Sequence, residues 1–225
     1  MQDHYNNLLS LYDSYANPLH LADSMRYMIL FYYGGIYSDL DIQRLLPLDP
    51  IIKKYSCFIA QEPRVHSIVC TNFYEQTSTA FMACRKRHPF MKILINNLPS
   101  FFYFANEHDS TGPRFLTYSF REYSKQINEM DTSDDSYVYL TPPEYFNLTV
   151  DPGLNNLLLM QRSRIQCLSV LRKWQYEQLK MEGLRSEPYK FSFTNHVWAY
   201  TAYQNIHSLP HTNIFEIRPD ASIYK

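Results

Sequence analysis

The chain has 225 residues, of which 45% are hydrophobic, enough for one domain with a full core or for one domain with an appendage. Its formal net charge of −1 lacks the basic excess that nucleic acid or an acidic membrane surface would require. No run of residues is long and apolar enough to predict a membrane-spanning helix. Tyrosine is common, at 20 residues, and an aromatic core and a sugar-binding cleft are both compatible with that number.

Helical and extended patterns alternate along the chain, which favours the α/β class. The spacing of apolar residues predicts helices over 7–15, 21–33, 51–55, 89–104, 114–129 and 154–182. Runs of β-formers predict strands over 36–42, 57–61, 137–140 and 215–217, and residues 79–84 are either a strand or the start of a helix. We expect Pro99 to kink or split the helix over 89–104.

The four cysteines are spread along the chain at Cys57, Cys70, Cys84 and Cys167. None of them form a close pair, so a zinc ribbon or a redox motif is not expected. Free buried thiols and one or two disulfides both remain open.

The most informative stretch, residues 21–41, combines a helix, a glycine stop and a strand. Four residues recur at helical spacing and predict a buried stripe: Met25, Met28, Ile29 and Tyr32. Gly34 and Gly35 then end the helix, because glycine readily adopts the left-handed conformation that closes a last turn. The strand over 36–42 follows directly.

That strand carries two carboxylates near its end. Residues two apart on a strand face the same side, so Tyr37, Asp39 and Asp41 are predicted to share one face. Two carboxylates side by side repel each other unless a cation or a proton lies between them. A hard divalent cation with oxygen ligands satisfies both. A D-x-D pair alone is common, but this one ends an apolar strand, and open α/β sheets bind ligands beyond strand carboxyl ends.

Asp23 and Arg26 lie three residues apart on the preceding helix and therefore share a face. One interpretation is a surface ion pair, which contributes little to stability. The other is an arginine placed near a diphosphate, where a guanidinium makes bidentate contacts and stabilises a leaving group.

Together these motifs resemble the DXD-containing sugar-binding region of glycosyltransferases. The residues that carry the resemblance are Ala22-Asp23, Arg26-Tyr27, Leu30, Tyr33-Gly34-Gly35-Ile36-Tyr37 and Asp39-Leu40-Asp41. Weaker matches follow in the expected order: Gln61-Glu62, His88-Pro89-Phe90, Thr111-Gly112-Pro113, and a histidine with Trp198. The group most resembled contains the yeast initiating α-1,6-mannosyltransferase and the mannosyl-inositol-phosphorylceramide synthase catalytic subunits. The α-1,4-galactosyltransferases and the glucosylating clostridial toxins share the same core.

The resemblance implies a GT-A-like fold, that is, a Rossmann-like central sheet with flanking helices. It also implies a nucleotide-sugar donor, GDP-mannose or UDP-hexose, and a divalent cation, Mn²⁺ or Mg²⁺. By matching positions, Asp41 would bind the metal, and Asp39 would face the donor sugar and ribose and contact the metal through water. Asp23 would bind donor-sugar hydroxyls, and Arg26 would contact the sugar or the diphosphate. These four are the predicted catalytic residues.

Two residues near the C-terminal end are predicted to contact the metal or the diphosphate. His196 is the candidate third ligand, with a structural histidine as the alternative. Thr201 can supply a hydroxyl near the diphosphate, although Ala202 stands where the family has a tryptophan.

Three more residues are candidate substrate-binding residues. Gly112, next to Thr111, would let the backbone approach the sugar, and an ordinary helix start is the alternative. Glu62 would lie on the acceptor side of the cleft, and a surface carboxylate at a strand end is the alternative.

The resemblance also predicts the organisation of the chain. A single GT-A-like domain would extend over 1–225, with its core over 7–120 and a helical C-terminal part over 150–225. The first strand of the family's fold, with its isoleucine-histidine-glutamine-type motif, and the family's membrane anchor do not precede residue 23. The domain is therefore expected to be N-terminally truncated, or incomplete and inactive. The parent protein is expected in the Golgi membrane with this part in the lumen, with membrane contact only through the anchor.

The predicted function is metal-dependent, retaining transfer of a hexose, mannose or galactose/glucose, to a glycan or glycolipid acceptor. Retention follows from the resemblance, which suggests that the leaving phosphate helps to deprotonate the acceptor. One alternative is a non-catalytic sugar- or nucleotide-binding protein. Another is a hydrolase that uses Asp39 and Asp41 as an acid–base pair, although glycosidase carboxylates usually come from separate elements across a cleft.

Overall fold

The computed structural model describes residues 5–64, 67, 75–104, 106–127, 135–146 and 190–197. Within them, four strands form a mixed sheet, here in spatial order: β1 (Gly35–Ser38), β4 (Thr77–Cys84), β3 (Cys57–Gln61) and β5 (Tyr139–Thr141). Strands β1 and β3 run antiparallel to β4, and β5 runs parallel to β3. A separate two-stranded ribbon pairs β2 (Ile42–Arg44) with β6 (Thr194–His196).

The described residues include a short 3-10 helix (Asn6–Leu8) and the α-helices α1 (Leu9–Asp13), α2 (Pro18–Tyr33), α3 (Asp49–Ile52), α4 (Pro89–Phe101), α5 (Glu107–Ser110), α6 (Pro113–Gln126) and α7 (Pro143–Phe146). Helix α2 packs against α4, α4 packs against α6, and α6 contacts β4. These three long helices therefore form one layer against the sheet.

Both faces of the sheet are covered by apolar side chains. Ile59 and Met82 lie in the cluster that includes α2, α4 and α6. Phe58 and Phe81 point the other way and pack with Phe146 of α7. Because successive strand residues face opposite sides, a strand covered on both faces is apolar throughout. This arrangement confirms the predicted α/β class and is consistent with a GT-A-like sheet with flanking helices.

Helix α2 positions the first part of the candidate site. Asn17, the N-cap residue, accepts a hydrogen bond of 3.0 Å from the N–H of Leu19, and Pro18 occupies the first helical position. The helix therefore begins three residues earlier than the spacing predicts.

The predicted buried stripe on α2 is wrong in part. Met28 is buried, but Ile29 is 45% exposed. The inward face instead includes Asp23, Arg26 and Tyr27. A hydrophobic pattern misses these polar residues, because they are buried through contacts with one another rather than by apolar burial alone.

The predicted glycine stop is confirmed. Gly34 has a φ of +71° and donates from its N–H to the carbonyl of Leu30 at 2.9 Å. A Cβ atom at this position would lie 2.5 Å from the backbone nitrogen of Lys86. Only glycine fits this conformation and this close approach.

The strand predicted over 36–42 is shorter than expected. Strand β1 ends at Ser38, although the N–H of Asp39 still bonds to the carbonyl of Ala80 at 2.8 Å. The chain then turns, with Leu40 99% exposed, before β2 begins at Ile42. Serine and aspartate are turn-forming residues, which explains why the β-forming run does not continue. Asp41 consequently lies in the turn and not on the strand that carries Tyr37.

The remaining boundaries differ by a few residues. Strand β3 is found over 57–61 as predicted, and residues 79–84 belong to the strand β4. Pro99 lies inside α4, which continues to Phe101, so the proline does not split the helix. It lies near the C-terminal end of the helix, where only Ser100 and Phe101 follow it. The helix predicted over 154–182 and the strand predicted over 215–217 lie outside the described residues.

Cys57 and Cys84 pair directly across β3 and β4 and form a disulfide, one of the alternatives that the sequence leaves open. Cys70 and Cys167 lie outside the described residues. Among the helices that the structure does describe, none has the length and hydrophobicity to cross a membrane.

Candidate active site

The carboxyl ends of β1, β3 and β5 lie at the same edge of the sheet, because β1 and β3 both run antiparallel to β4 and β5 runs parallel to β3. Asp39 directly follows β1, and Glu62 directly follows β3. The N–H of Glu62 bonds to the carbonyl of Gln76 at 2.8 Å, one residue before β4. This carboxyl edge is where open α/β sheets bind ligands.

Arg26 is the centre of a buried network at this edge. Its Nη2 lies 2.8 Å from Oδ1 of Asp23, and its Nη1 donates to the carbonyl of Thr79 at 2.6 Å. The same Nη1 lies 3.7 Å from Oδ1 of Asp39. The guanidinium also lies over the ring of Tyr37, 4.4 Å from its centroid. Arg26 therefore contacts four groups. Its ion pair with Asp23 is buried, so the interpretation as a surface ion pair does not hold.

Tyr37 links the strand to this network. Its hydroxyl donates a hydrogen bond of 2.7 Å to Oδ1 of Asp39. The sequence places the two side chains on one face but assigns no role to Tyr37. Its spacing of two residues from Asp39 is the signal that points to it.

Burial dominates the electrostatics of the carboxylates. Burial raises the pKa of Asp23, and the attraction of Arg26 and the hydrogen bond from Thr111 only partly offset this. Burial likewise raises the pKa of Asp39, against the attraction of Arg26 and the hydrogen bond from Tyr37. Burial thus disfavours the charged form of both carboxylates.

Asp41 lies beside His196 across the β2–β6 ribbon. Oδ2 of Asp41 lies 3.2 Å from Nε2 of His196, and the carbonyl of Asp41 accepts from the N–H of Val197 at 2.9 Å. His196 is opposite Ile42 in the ribbon, next to Asp41 in the chain. The charge of Asp41 contributes to the raised pKa of Asp39, and His196 lowers it slightly. The two carboxylates and the imidazole therefore lie within electrostatic reach of one another.

By their chemistry these side chains suit a divalent cation of the Mn²⁺ type, although the ligand atoms of Asp39, Asp41 and His196 do not all lie within 4.8 Å of one another. Carboxylate oxygens are the ligands that Mg²⁺ and Mn²⁺ prefer, and an imidazole nitrogen is an additional ligand for transition metals. Asp39 and Asp41 are both partly exposed, with side-chain exposures of 32% and 18%, so a ligand can reach them from solvent. His196 is 10% exposed on the same measure.

Thr111 and Gly112 contact Asp23 from the junction of α5 and α6. The Thr111 hydroxyl donates to Oδ2 of Asp23 at 3.2 Å, and Thr111 itself is fully buried. The hydroxyl of Tyr27 donates to the carbonyl of Thr111 at 2.6 Å, a contact that the sequence does not predict. Thr201, predicted to contact the diphosphate, lies outside the described residues.

Four residues of the candidate site lie in a segment that is similar to a known protein family. Residues 1–58 match the family model described as "Glycosyltransferase sugar-binding region containing DXD motif". This segment of the chain is similar to the DXD-containing glycosyltransferases. The matched segment contains Asp23, Arg26, Asp39 and Asp41, so the resemblance inferred from the motifs is confirmed.

The curated relatives include yeast proteins. The chain is 33% identical over 128 residues to Inositol phosphoceramide mannosyltransferase 1 of Schizosaccharomyces pombe, a match that covers 55% of this chain and 37% of the relative. It is 28% identical over 153 residues to Mannosyl phosphorylinositol ceramide synthase CSH1 of Saccharomyces cerevisiae, covering 66% of this chain and 37% of the relative. The chain thus spans little more than a third of the length of these relatives.

Among solved structures, the PaToxG glycosyltransferase is similar, with a TM-score of 0.38 and 15% identity. The match covers 86% of this chain and 59% of that protein. A similarity of this size does not establish a shared fold.

Proposed function

We propose that the chain is the catalytic region of a metal-dependent, retaining hexosyltransferase that moves mannose from a nucleotide sugar to a glycolipid acceptor. The observation that carries the proposal is the network at the carboxyl edge of the sheet in which the buried pair Asp23 and Arg26 meets Asp39, with Asp41 and His196 beside it. Both relatives named above are mannosyltransferases or synthases of inositol phosphoceramide products, which supports mannose over galactose or glucose.

Asp41, with Asp39 and His196, would hold a Mn²⁺ or Mg²⁺ ion. When bound, such an ion neutralises the negative charge that gathers on the leaving nucleoside diphosphate. Arg26 supplies a second positive charge, fixed in orientation by Asp23 and by the Thr79 carbonyl, so it needs little reorganisation as the bond to the diphosphate breaks.

Asp23 and Asp39 would bind and orient the donor. Asp23 accepts hydrogen bonds from hydroxyls of the donor sugar, and Asp39 faces the sugar and the ribose. Both carboxylates already take part in hydrogen bonds or ion pairs with Arg26, Thr111 or Tyr37, which argues against a free carboxylate nucleophile. This supports a front-face mechanism in which the leaving phosphate helps to take the acceptor proton, with retention of configuration.

Glu62 follows β3, which is separated from β1 by β4, at the same edge of the sheet and is our candidate for the acceptor side of the cleft. A glycolipid acceptor, which lies in a membrane, places the parent protein on a membrane, and we propose the lumenal side of the Golgi.

A panel of nucleotide sugars tests this function. Each is added with Mn²⁺ or with EDTA, and both the melting temperature and the release of nucleoside diphosphate are measured, with and without an inositol phosphoceramide acceptor. We expect GDP-mannose with Mn²⁺ to raise the melting temperature and to be turned over. Binding without turnover would favour a non-catalytic nucleotide-sugar-binding protein, and glycoside hydrolysis that persists in EDTA would favour a hydrolase.

A further inference from the structure

At the junction between α5 and α6, one residue contacts the carboxylate of Asp23 on α2. Thr111 is fully buried, and its hydroxyl donates to Oδ2 of Asp23 at 3.2 Å. The other oxygen of Asp23, Oδ1, lies 2.8 Å from Nη2 of Arg26. Both oxygens of the carboxylate therefore have a fixed partner, and this sets the plane of the group.

Tyr27 lies on the same helix as Asp23 and also contacts Thr111. It lies one turn further along α2, is fully buried, and donates from its hydroxyl to the carbonyl of Thr111 at 2.6 Å. Its ring also packs against Phe115 of α6, with centroids 5.8 Å apart. The main chain of Thr111 is thus held by Tyr27, while its side chain holds Asp23.

Gly112 allows the junction to come this close. A Cβ atom there would lie 3.2 Å from Oδ2 of Asp23 and 2.9 Å from the carbonyl oxygen of Glu107. The N–H of Gly112 donates to that same carbonyl at 2.8 Å. A larger residue would push the Thr111–Gly112 segment away from the carboxylate that it supports.

We propose that Tyr27 and Thr111 are positioning residues, which act through Asp23 on recognition of the donor sugar and do not touch the donor themselves. The inference rests on the proposed function, because it takes the donor-sugar contact of Asp23 from there. It replaces the direct substrate contact that the sequence predicts for Thr111 and Gly112 with an indirect one. Complete burial of Thr111 is the reason for the difference.

The test compares two ligands that differ only in the sugar. Binding of GDP-mannose and of GDP, both with Mn²⁺, is measured for the wild type and for Thr111→Val, Thr111→Ser and Tyr27→Phe. Valine keeps the shape of threonine without the hydroxyl, so we expect GDP-mannose affinity to fall about tenfold while GDP affinity stays within about twofold. Serine keeps the hydroxyl and should restore wild-type affinity. Tyr27→Phe should weaken GDP-mannose in the same direction as valine.

The outcomes separate this inference from the function on which it rests. Equal losses for GDP-mannose and GDP would mean that these residues only support the fold, and unchanged affinities in both Thr111→Val and Tyr27→Phe would also overturn the inference. If Thr111→Val fails to fold, the GDP-mannose and GDP affinities of Tyr27→Phe test the inference instead, because that variant removes only one hydroxyl and keeps the ring. A wild type that binds neither ligand would instead reject the proposed function.

Discussion

Oδ2 of Asp41 lies 3.2 Å from Nε2 of His196, although the two residues are far apart in the sequence. The pairing of β2 with β6 brings them together and places His196 opposite Ile42. The segment that carries the DXD motif therefore contacts a residue more than 150 positions further along the chain.

Replacing His196 with alanine should weaken metal binding more than it weakens the fold. We expect the Mn²⁺ concentration that gives half-maximal turnover to rise by about tenfold or more, because an imidazole beside the carboxylate proposed to bind the metal is lost. Titration of activity with Mn²⁺ measures this. Gln43→Ala is the matched control, since Gln43 is an exposed residue of the same ribbon. An unchanged Mn²⁺ requirement in His196→Ala would make the histidine structural.

Replacing Asp39 with asparagine should stabilise the metal-free protein at neutral pH. Burial raises the pKa of Asp39 in the folded state, so between the unfolded and folded pKa values the folded state binds more protons than the unfolded state. The free energy of unfolding therefore falls as pH rises through that window, and asparagine removes this loss. In EDTA at pH 7, Asp39→Asn should melt at a higher temperature than the wild type, and the difference should shrink below about pH 4.

The control for this experiment is Asp49→Asn, whose side chain is 70% exposed on α3. It should leave the melting temperature within about 1 °C of the wild type at each pH, because surface charges contribute little. A melting temperature of Asp39→Asn at or below that of the wild type at pH 7 would show that its ionised carboxylate is a net stabilising group.

His88 should make the fold sensitive to acid. It is fully buried and caps α4 by accepting the N–H of Phe90 at its Nδ1, 3.2 Å away. Burial, followed by the charge of Arg85, lowers the pKa of His88 to about 4 from 6.5. Between these two pH values His88 is protonated in the unfolded state but not in the folded state. The free energy of unfolding therefore falls as the pH drops through this range. The total loss is roughly 3 kcal/mol, at about 1.4 kcal/mol per pKa unit.

Chemical denaturation from pH 7 to pH 4 measures that loss, and His88→Asn is the comparison. Asparagine is a good N-cap residue, so it keeps the acceptor for Phe90 but has no proton to bind. The variant should show a flatter dependence of unfolding free energy on pH between 6.5 and 4. Parallel curves for the two proteins would assign the acid sensitivity to other groups.

Features that depend on residues close together in the sequence could be predicted from it. The glycine stop after α2 follows from the conformational freedom of Gly34, and the run CFIAQ is apolar enough to predict β3. The three-residue spacing of Asp23 and Arg26 places them on one face, where they form an ion pair.

Features that depend on tertiary packing could not be predicted. The contacts of Arg26 with the Thr79 carbonyl and of Tyr27 with the Thr111 carbonyl join segments that no periodicity connects. The spacing of apolar residues also misplaced part of the inward face of α2, because that spacing carries no signal for a buried ion pair. The turn at Leu40 interrupts a run that β-propensity alone extends to Ile42.

The central claim is that Asp41 is a metal-binding residue of a nucleotide-sugar site. The most direct measurement is the Mn²⁺-dependent release of nucleoside diphosphate from GDP-mannose by the wild type, by Asp41→Ala and by the exposed-residue control Asp49→Ala. We expect turnover by the wild type and by Asp49→Ala that EDTA abolishes. Asp41→Ala should lose at least ~10²-fold in turnover while still unfolding cooperatively. Turnover by Asp41→Ala at the wild-type level, or turnover by the wild type that persists in EDTA, would contradict the claim.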